Sequence, residues 1–354
     1  MAGGGGTRLW PLSNRHRPKQ MLTLGGERTL FQVAVDRLKG VFPVERILVV
    51  TVTEQAGELQ QQYPEISAAN FLIEPAPRGT ASVVGLAATA LLARDAQAAM
   101  AILTADHIIE NEPKFREYLE TAVKIANQGY LVTLGIEPAY PATGYGYIQR
   151  GETLGDFDGK PAYRVQRFRE KPNLELAEEM VARGGHYWNS GMFIWRADRI
   201  MEAFRLYMPD LFADLLELRK LWNTARQVEV LEQIWMKIKP ETIDYGIMEH
   251  AANVVVLPAV DIGWNDVGSW DSIFEIYTPD AHGNIVIGAQ HLDLETTSSL
   301  IVGDTSHRLI VTIGLKDIIV IDTGNTLLIC PRGESQRVKD AVARLKENGL
   351  QKYL

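Results

Sequence analysis

The sequence predicts an α/β fold: a mixed, mainly parallel sheet flanked by helices, followed by a small C-terminal β domain. Three observations carry that expectation. Short apolar runs alternate with helix-type periodicity over the first 275 residues, the signature of layered α/β structure. After a linker-like stretch at 276–284 (IYTPDAHGN), short β-type runs recur with Gly, Asp or Asn turns between them, as in a short β-helix. The chain also opens on a glycine run with basic neighbours. The expected domains are 1–275 and 284–354.

The elements follow in order. Residues 29–39 (TLFQVAVDRLK) carry apolar residues at helical spacing and stop at Gly40. Residues 46–51 (RILVVT) read as a buried strand, 55–62 as a helix and 70–73 as the next strand. The alanine-rich 82–93 is a helix; 101–104 and 130–136 are strands. Residues 165–169 alternate like an exposed strand, 173–183 form a helix and 192–195 a strand. Residues 198–236 are mostly helical and 254–257 form an apolar strand. In the tail, strands fall at 284–287, 299–302, 309–312, 318–321 and 326–330, with a final amphipathic helix at 336–346.

Composition bounds the function. The 354 residues suffice for one large core and a second domain. A net charge of -8 argues against a nucleic-acid surface. A single cysteine, Cys330, excludes a disulfide framework and fits a reducing cytoplasm. No apolar run reaches membrane-spanning length and no signal peptide is recognisable.

The candidate chemistry begins at Met1–Gln20 (MAGGGGTRLWPLSNRHRPKQ). Gly3, Gly4, Gly5 and Gly6 allow backbone N–H groups to converge into an anion nest, with Thr7 at its end. Arg8 and Lys19 add fixed positive charge. Thr-Arg after the last glycine rules out a Walker A loop, and no third glycine opens a helix as a dinucleotide fingerprint requires. An apolar strand is expected before such a loop. Only Met1 and Ala2 precede it, so the chain is expected to begin downstream of that strand.

Ligands of such sheets gather beyond the carboxyl ends of strands. Arg78, Gly79 and Thr80 follow one strand; Thr80 is either a helix cap or, with Arg78, part of a base-reading loop. Asp106 follows another, as a metal-binding carboxylate or a turn aspartate. Gly146 either lets backbone approach a flat ligand or makes a turn. Glu170 and Lys171 suit adjacent sugar and phosphate pockets, or a surface ion pair. Asn189 can both donate to and accept from sugar hydroxyls. Asp266, between glycines and tryptophans, offers a second carboxylate for Mg²⁺.

Taken together, these segments resemble the sugar-phosphate nucleotidyltransferases, and among them the mannose-1-phosphate guanylyltransferases. The resemblance rests on the 3–19 signature, similar to GGxGTRLxPL…PK, and on EPAPRGTA at 74–81, ADH at 105–107, GYGYI at 144–148 and EKP at 170–172. NSGMF at 189–193, IDY at 243–245 and WNDVGSW at 264–270 complete it. It covers essentially the whole chain. It implies a Rossmann-like nucleotide-diphospho-sugar transferase domain with a β-helix-like tail. It also implies transfer of GMP from GTP to mannose 1-phosphate, releasing pyrophosphate.

By the same resemblance, Gly3 to Thr7 with Arg8 and Lys19 hold the triphosphate and the leaving pyrophosphate, and Arg78, Gly79 and Thr80 lie at guanine. Asp106 and Asp266 bind Mg²⁺; Gly146, Glu170 and Asn189 contact mannose, and Lys171 its phosphate. A cytoplasmic homodimer is the implied state. Gly5 and Gly79 depart from the serine and asparagine frequent in relatives. Some relatives carry a fused cupin-type isomerase domain for which this chain is too short, so transferase activity alone is expected. Two alternatives stand beside this reading: the same chemistry with another base or sugar, and a non-catalytic nucleotide-sugar-binding subunit.

Overall fold

In the computed structural model, residues 1–3, 7–24, 26–303 and 308–354 are described. They divide into two compact units: Met1 with Arg37–Thr104 and Ile109–Trp264, and Ala2–Asp36 with Ala105–Ile108 and Asn265–Leu354.

The first unit is built on mixed sheets flanked by helices. Val49–Val52 pairs in parallel with Phe71–Glu74. The six-stranded sheet runs in the order Ala99–Ile102, His186–Arg196, Leu131–Ile136, Val254–Pro258, Lys160–Arg169, Tyr147–Phe157. Leu131–Ile136 and Val254–Pro258 pair in parallel at its centre, and both are buried throughout. That explains their unbroken apolar sequences, since a strand covered on both faces needs no alternation. Tyr147–Phe157 and Lys160–Arg169 form an antiparallel hairpin with alternating burial toward the sheet's outer end.

Helix Thr80–Arg94 is buried on nearly every side, as its alanine-rich sequence without a polar stripe requires. Its partners in one core cluster include Phe193, Trp195, Phe204, Leu215 and Trp235. A second cluster packs Glu112–Ala126 through Phe115, Leu119 and Ile125 against Val132, Leu134 and Val255. Asn173 caps helix Leu174–Arg183 by accepting from Leu176 N. The 198–236 region resolves into Ala197–Tyr207, Pro209–Lys220 and Gln227–Trp235.

The second unit stacks parallel strands in two columns. Ile285–Ile287, Leu300–Gly303 and Ile318–Asp322 form one, closed by antiparallel Leu327–Pro331. Gln290–Leu294 and Leu309–Ile313 form the other. This is the short β-helix-like tail, ended by Val338–Glu347. Its core joins Ile285, Ile287, Leu300, Val302, Ile319 and Ile321 to Leu9, Trp10, Val267 and Trp270. Trp270 Nε1 donates to Trp10 O at 3.0 Å and Trp10 Nε1 to Tyr353 O at 2.6 Å, tying both ends of the sequence into this unit. No described helix is long and apolar enough to cross a membrane.

Candidate active site

Each unit carries its own cluster of candidate residues, and each is built from local sequence upward. In the second unit, Asn14 Oδ1 accepts from His16 N and Arg17 N, both at 2.9 Å. This side-chain turn leads to Pro18 and the short 3-10 helix Lys19–Met21. Lys19 is buried there and donates from Nζ to Asp106 Oδ2 at 3.0 Å and to the Asp266 carbonyl. His107 Nε2 lies 3.8 Å from Asp106 Oδ1. Burial alone would raise the Asp106 carboxyl. The charges of Lys19 and His107, with the Lys19 hydrogen bond, outweigh it and bring its pKa down to about 2.

Asp266 sits in a tightly organised loop. Val267 N donates to Asn265 Oδ1 at 2.7 Å and Gly268 N to Asp266 Oδ1 at 3.0 Å. A Cβ at position 268 would crowd Asp266 Oδ2, so glycine is needed for this carboxylate to lie where it does. Val267 adopts φ +47° while fully buried. A β-branched residue in the left-handed region is strained, and such strain concentrates where function demands a fixed geometry.

Lys19, Asp106 and Asp266, 247 residues apart in sequence at the extreme, are therefore one cluster. Thr7 and Arg8 are exposed on the 3-10 turn Thr7–Leu9. Gly3 is half-buried, while Gly4, Gly5 and Gly6 lie outside the described residues.

The donor chemistry suits Mg²⁺. The Asp106 carboxylate is ionised and already faces a cation, the Lys19 ammonium, which stands in for one. Mg²⁺ takes one or two carboxylates and fills its remaining positions with water and phosphate oxygens. Among the described residues no group of three or more His, Cys, Asp or Glu is gathered, so an ion held by Asp106 and Asp266 would complete its shell with water and phosphate oxygens.

In the first unit, residues Gly146, Glu170, Lys171 and Asn189 come together. A Cβ at 146 would run into Glu170 Oε2 and meet Asn189 Cβ at 3.5 Å, so the glycine leaves room for that carboxylate. Asn189 N donates to Gly146 O at 2.8 Å. Lys171 has φ +44° and pairs through Nζ with Glu170 Oε1 at 2.6 Å. Tyr145 stacks edge-on against Trp188 (5.0 Å) and Trp264 (5.5 Å), which fixes the loop carrying Gly146.

The Arg78–Thr80 loop has structural duties of its own. Arg78 Nε donates to Trp235 O at 3.1 Å and Nη2 to Met236 O at 3.3 Å. Gly79, at φ +85°, caps helix Thr80–Arg94, and a Cβ there would strike the Glu241 carbonyl. The cap expected at Thr80 is therefore Gly79. Thr80 Oγ1 instead accepts from Ile243 N at 2.9 Å.

Two carboxyl groups were given no role by sequence reasoning. Asp244 lies in a π-helical turn, Asp244–Met248, and accepts from Asn189 Nδ2 at 2.7 Å. Burial raises it; the Asn189 hydrogen bond opposes, the Glu170 carboxylate adds, and the pKa settles at about 6. Glu74, 3% exposed, has no partner for Oε2. Burial, only partly offset by the Arg78 backbone N–H, pushes it up to about 7. Both lie in segments that carry the resemblance, EPAPRGTA at 74–81 and IDY at 243–245, but spacing does not reveal their contacts; Asp244 lies 55 residues from its partner.

One unit thus gathers a carboxylate stabilised by an ammonium, and the other an amide, two carboxyl groups and an ammonium; comparison with known proteins supplies the class. The nucleotidyl transferase family model matches residues 1–282, and a model described as a MannoseP isomerase/GMP-like beta-helix domain matches 289–345. Mannose-1-phosphate guanylyltransferases of Escherichia coli and Salmonella typhimurium are each 38% identical, over 359 and 358 residues. Those matches cover all of this chain and 74% of each relative. A crystal structure described as mannose-1-phosphate geranyltransferase from Thermus thermophilus superposes with a TM-score of 0.87 at 32% identity, covering 98% of both chains. The chain belongs to the nucleotidyl transferase family, in its mannose-1-phosphate guanylyltransferase branch.

Proposed function

We propose that the protein transfers GMP from GTP to mannose 1-phosphate, yielding GDP-mannose and pyrophosphate. The observation that carries this reading is the Lys19–Asp106–Asp266 cluster, an ammonium held between the Asp106 carboxylate and the Asp266 backbone carbonyl, in a chain whose relatives bear that activity in their names.

The chemistry asks for positioning and charge, not for a strong base. The nucleophile is a sugar phosphate already ionised near neutrality, attacking the α-phosphorus in line while pyrophosphate departs. Lys19 and Arg8, with the Gly3–Thr7 loop, neutralise the departing pyrophosphate in this reading. Asp106 and Asp266 hold Mg²⁺, which when bound supplies further neutralisation at the phosphates. Glu170, Asn189 and Gly146 meet the hexose hydroxyls, and Lys171, with its side chain 54% exposed, meets the acceptor phosphate. Arg78, Gly79 and Thr80 are assigned to guanine, with the base edge met by loop backbone while the Arg78 guanidinium stays on Trp235 and Met236.

A cytoplasmic setting and a homodimer belong to the same proposal, the first supported by the single, unpaired Cys330. Sedimentation of the purified chain tests the second. The decisive experiment for the reaction is pyrophosphate release with GTP, Mg²⁺ and mannose 1-phosphate, run beside ATP, UTP, dTTP and glucose 1-phosphate. GDP-mannose binding without pyrophosphate release would favour the non-catalytic subunit instead.

A further inference from the structure

We infer that Asp244 is a positioning residue that sets the sugar specificity of the first unit's cluster by locking the side-chain amide of Asn189. The inference rests on the proposed reaction and names a determinant within its acceptor side.

The Asn189 amide has four hydrogen-bonding positions, two lone pairs on Oδ1 and two N–H groups on Nδ2. On the oxygen, Gly191 N donates at 3.1 Å, and the Thr133 hydroxyl, 3.4 Å away, shares its one proton between this oxygen and Met192 O at 3.5 Å. One N–H goes to Asp244 Oδ1 at 2.7 Å. A single N–H remains to present outward. Without Asp244, the Nδ2 end keeps no anchor, and rotation about the side chain costs only the two weaker bonds on oxygen.

The carboxylate is well placed for this duty and poorly explained by any other. It begins the Asp244–Met248 π-helical turn, an element that recurs at functional sites. It lies close enough to Glu170 for the two to repel, and Lys171 partly offsets that repulsion. Evolutionarily cheap alternatives, such as a neutral side chain, would avoid bringing two carboxyls together. Holding the amide accounts for the arrangement. A ring hydroxyl then meets a donor in a fixed place beside the Glu170 acceptor, so the site reads the orientation of adjacent hydroxyls, which is what separates hexose epimers.

The test is a double-mutant cycle on pyrophosphate release with Asp244→Ala, Asn189→Ala and both together, each checked for a native circular-dichroism spectrum. Each single variant is expected to raise KM for mannose 1-phosphate about tenfold, with KM for GTP changed less than about twofold. The double variant is expected to be no worse than the poorer single one, because Asp244 acts through Asn189. Asp244→Asn, which keeps an acceptor for the amide, is expected to stay within about threefold of the unsubstituted chain. Discrimination between mannose and glucose 1-phosphate is expected to narrow in Asp244→Ala. If that variant does not fold, Asp244→Ser carries the same cycle. Additive losses in the double variant, or a GTP KM rising in step with the sugar KM, would overturn the inference while leaving the proposed reaction intact. No pyrophosphate from the unsubstituted chain would overturn both.

Discussion

Asp106 and Asp244 are both half-buried aspartates, yet their ionisation moves in opposite directions. Asp106 faces the Lys19 ammonium and falls to about 2. Asp244 faces a neutral amide, with another carboxylate near it, and rises to about 6. Desolvation acts on both in the same sense, so the partner decides. Glu74 extends the series: Oε2 has no partner at all and the group rises to about 7. The order follows the strength of the partner, from a full charge through a side-chain amide to a single backbone N–H that leaves one oxygen unpartnered. A permanently ionised carboxylate suits cations, and phosphates only through them; one that titrates near 6 beside an amide suits neutral hydroxyls.

The sharpest way to break the comparison is one isosteric change made in both places. Asp106→Asn combined with Asp266→Asn is expected to cut kcat by about a thousandfold, some 4 kcal/mol of transition-state stabilisation, with native circular dichroism retained. Asp244→Asn is expected to cost no more than about threefold in KM for the sugar phosphate. Near-normal turnover of the double variant would remove the metal assignment, and with it the contrast.

Glu74 gives the next effect in size, on stability. Its folded pKa of about 7 lies above the ordinary 4.5, so the folded state binds more protons than the unfolded one between those values. The stabilisation is therefore present at low pH and is lost as pH rises from about 4.5 through 7. The loss approaches about 3 kcal/mol at pH 8, since the group is almost wholly buried. Glu74→Gln escapes it. Urea denaturation should find the variant more stable by roughly that amount at pH 8, and by under about 1 kcal/mol at pH 5. A gain equal at both pH values would show that the carboxyl is not being forced to ionise.

The same contrast explains what could be read without coordinates. Strands such as Leu131–Ile136 and Val254–Pro258 announce themselves because burial on both faces demands continuous apolar residues. Gln290–Leu294 did not, because it offers only two apolar residues, Leu292 and Leu294, both about half exposed, among Gln290, His291 and Asp293, while His291 Nε2 bonds with Thr312 Oγ1 at 2.8 Å. The Lys19, Asp106 and Asp266 cluster was legible as a set of residue types, since polyphosphate chemistry needs cations and acids together. Its wiring was not, because a contact across 87 residues leaves no trace in spacing. Gly79 was legible as a glycine of consequence; that a Cβ there would strike the Glu241 carbonyl was not. Asp244 and Glu74 stand in recognisable motifs, yet their roles come from neighbours brought in by the fold.

The smallest effect probes the comparison within the assay itself. Near pH 7.5 Asp244 is ionised and its bond from the Asn189 amide is charge-assisted; below about 6 it becomes a neutral acceptor and holds the amide less firmly. Glu170 and Lys171 are the charged groups that share its surroundings. As pH falls from 7.5 to 5.5, KM for mannose 1-phosphate should rise in both the unsubstituted chain and Asp244→Asn, because the substrate's own phosphate gains a proton near 6. The unsubstituted chain should rise about twofold to threefold further, until the two converge at the acid end. Asp106, with a pKa of about 2, stays ionised across this window and contributes nothing to the difference. Parallel profiles for the two proteins would mean that Asp244 does not titrate where its amide partner and the Glu170 carboxylate should set it.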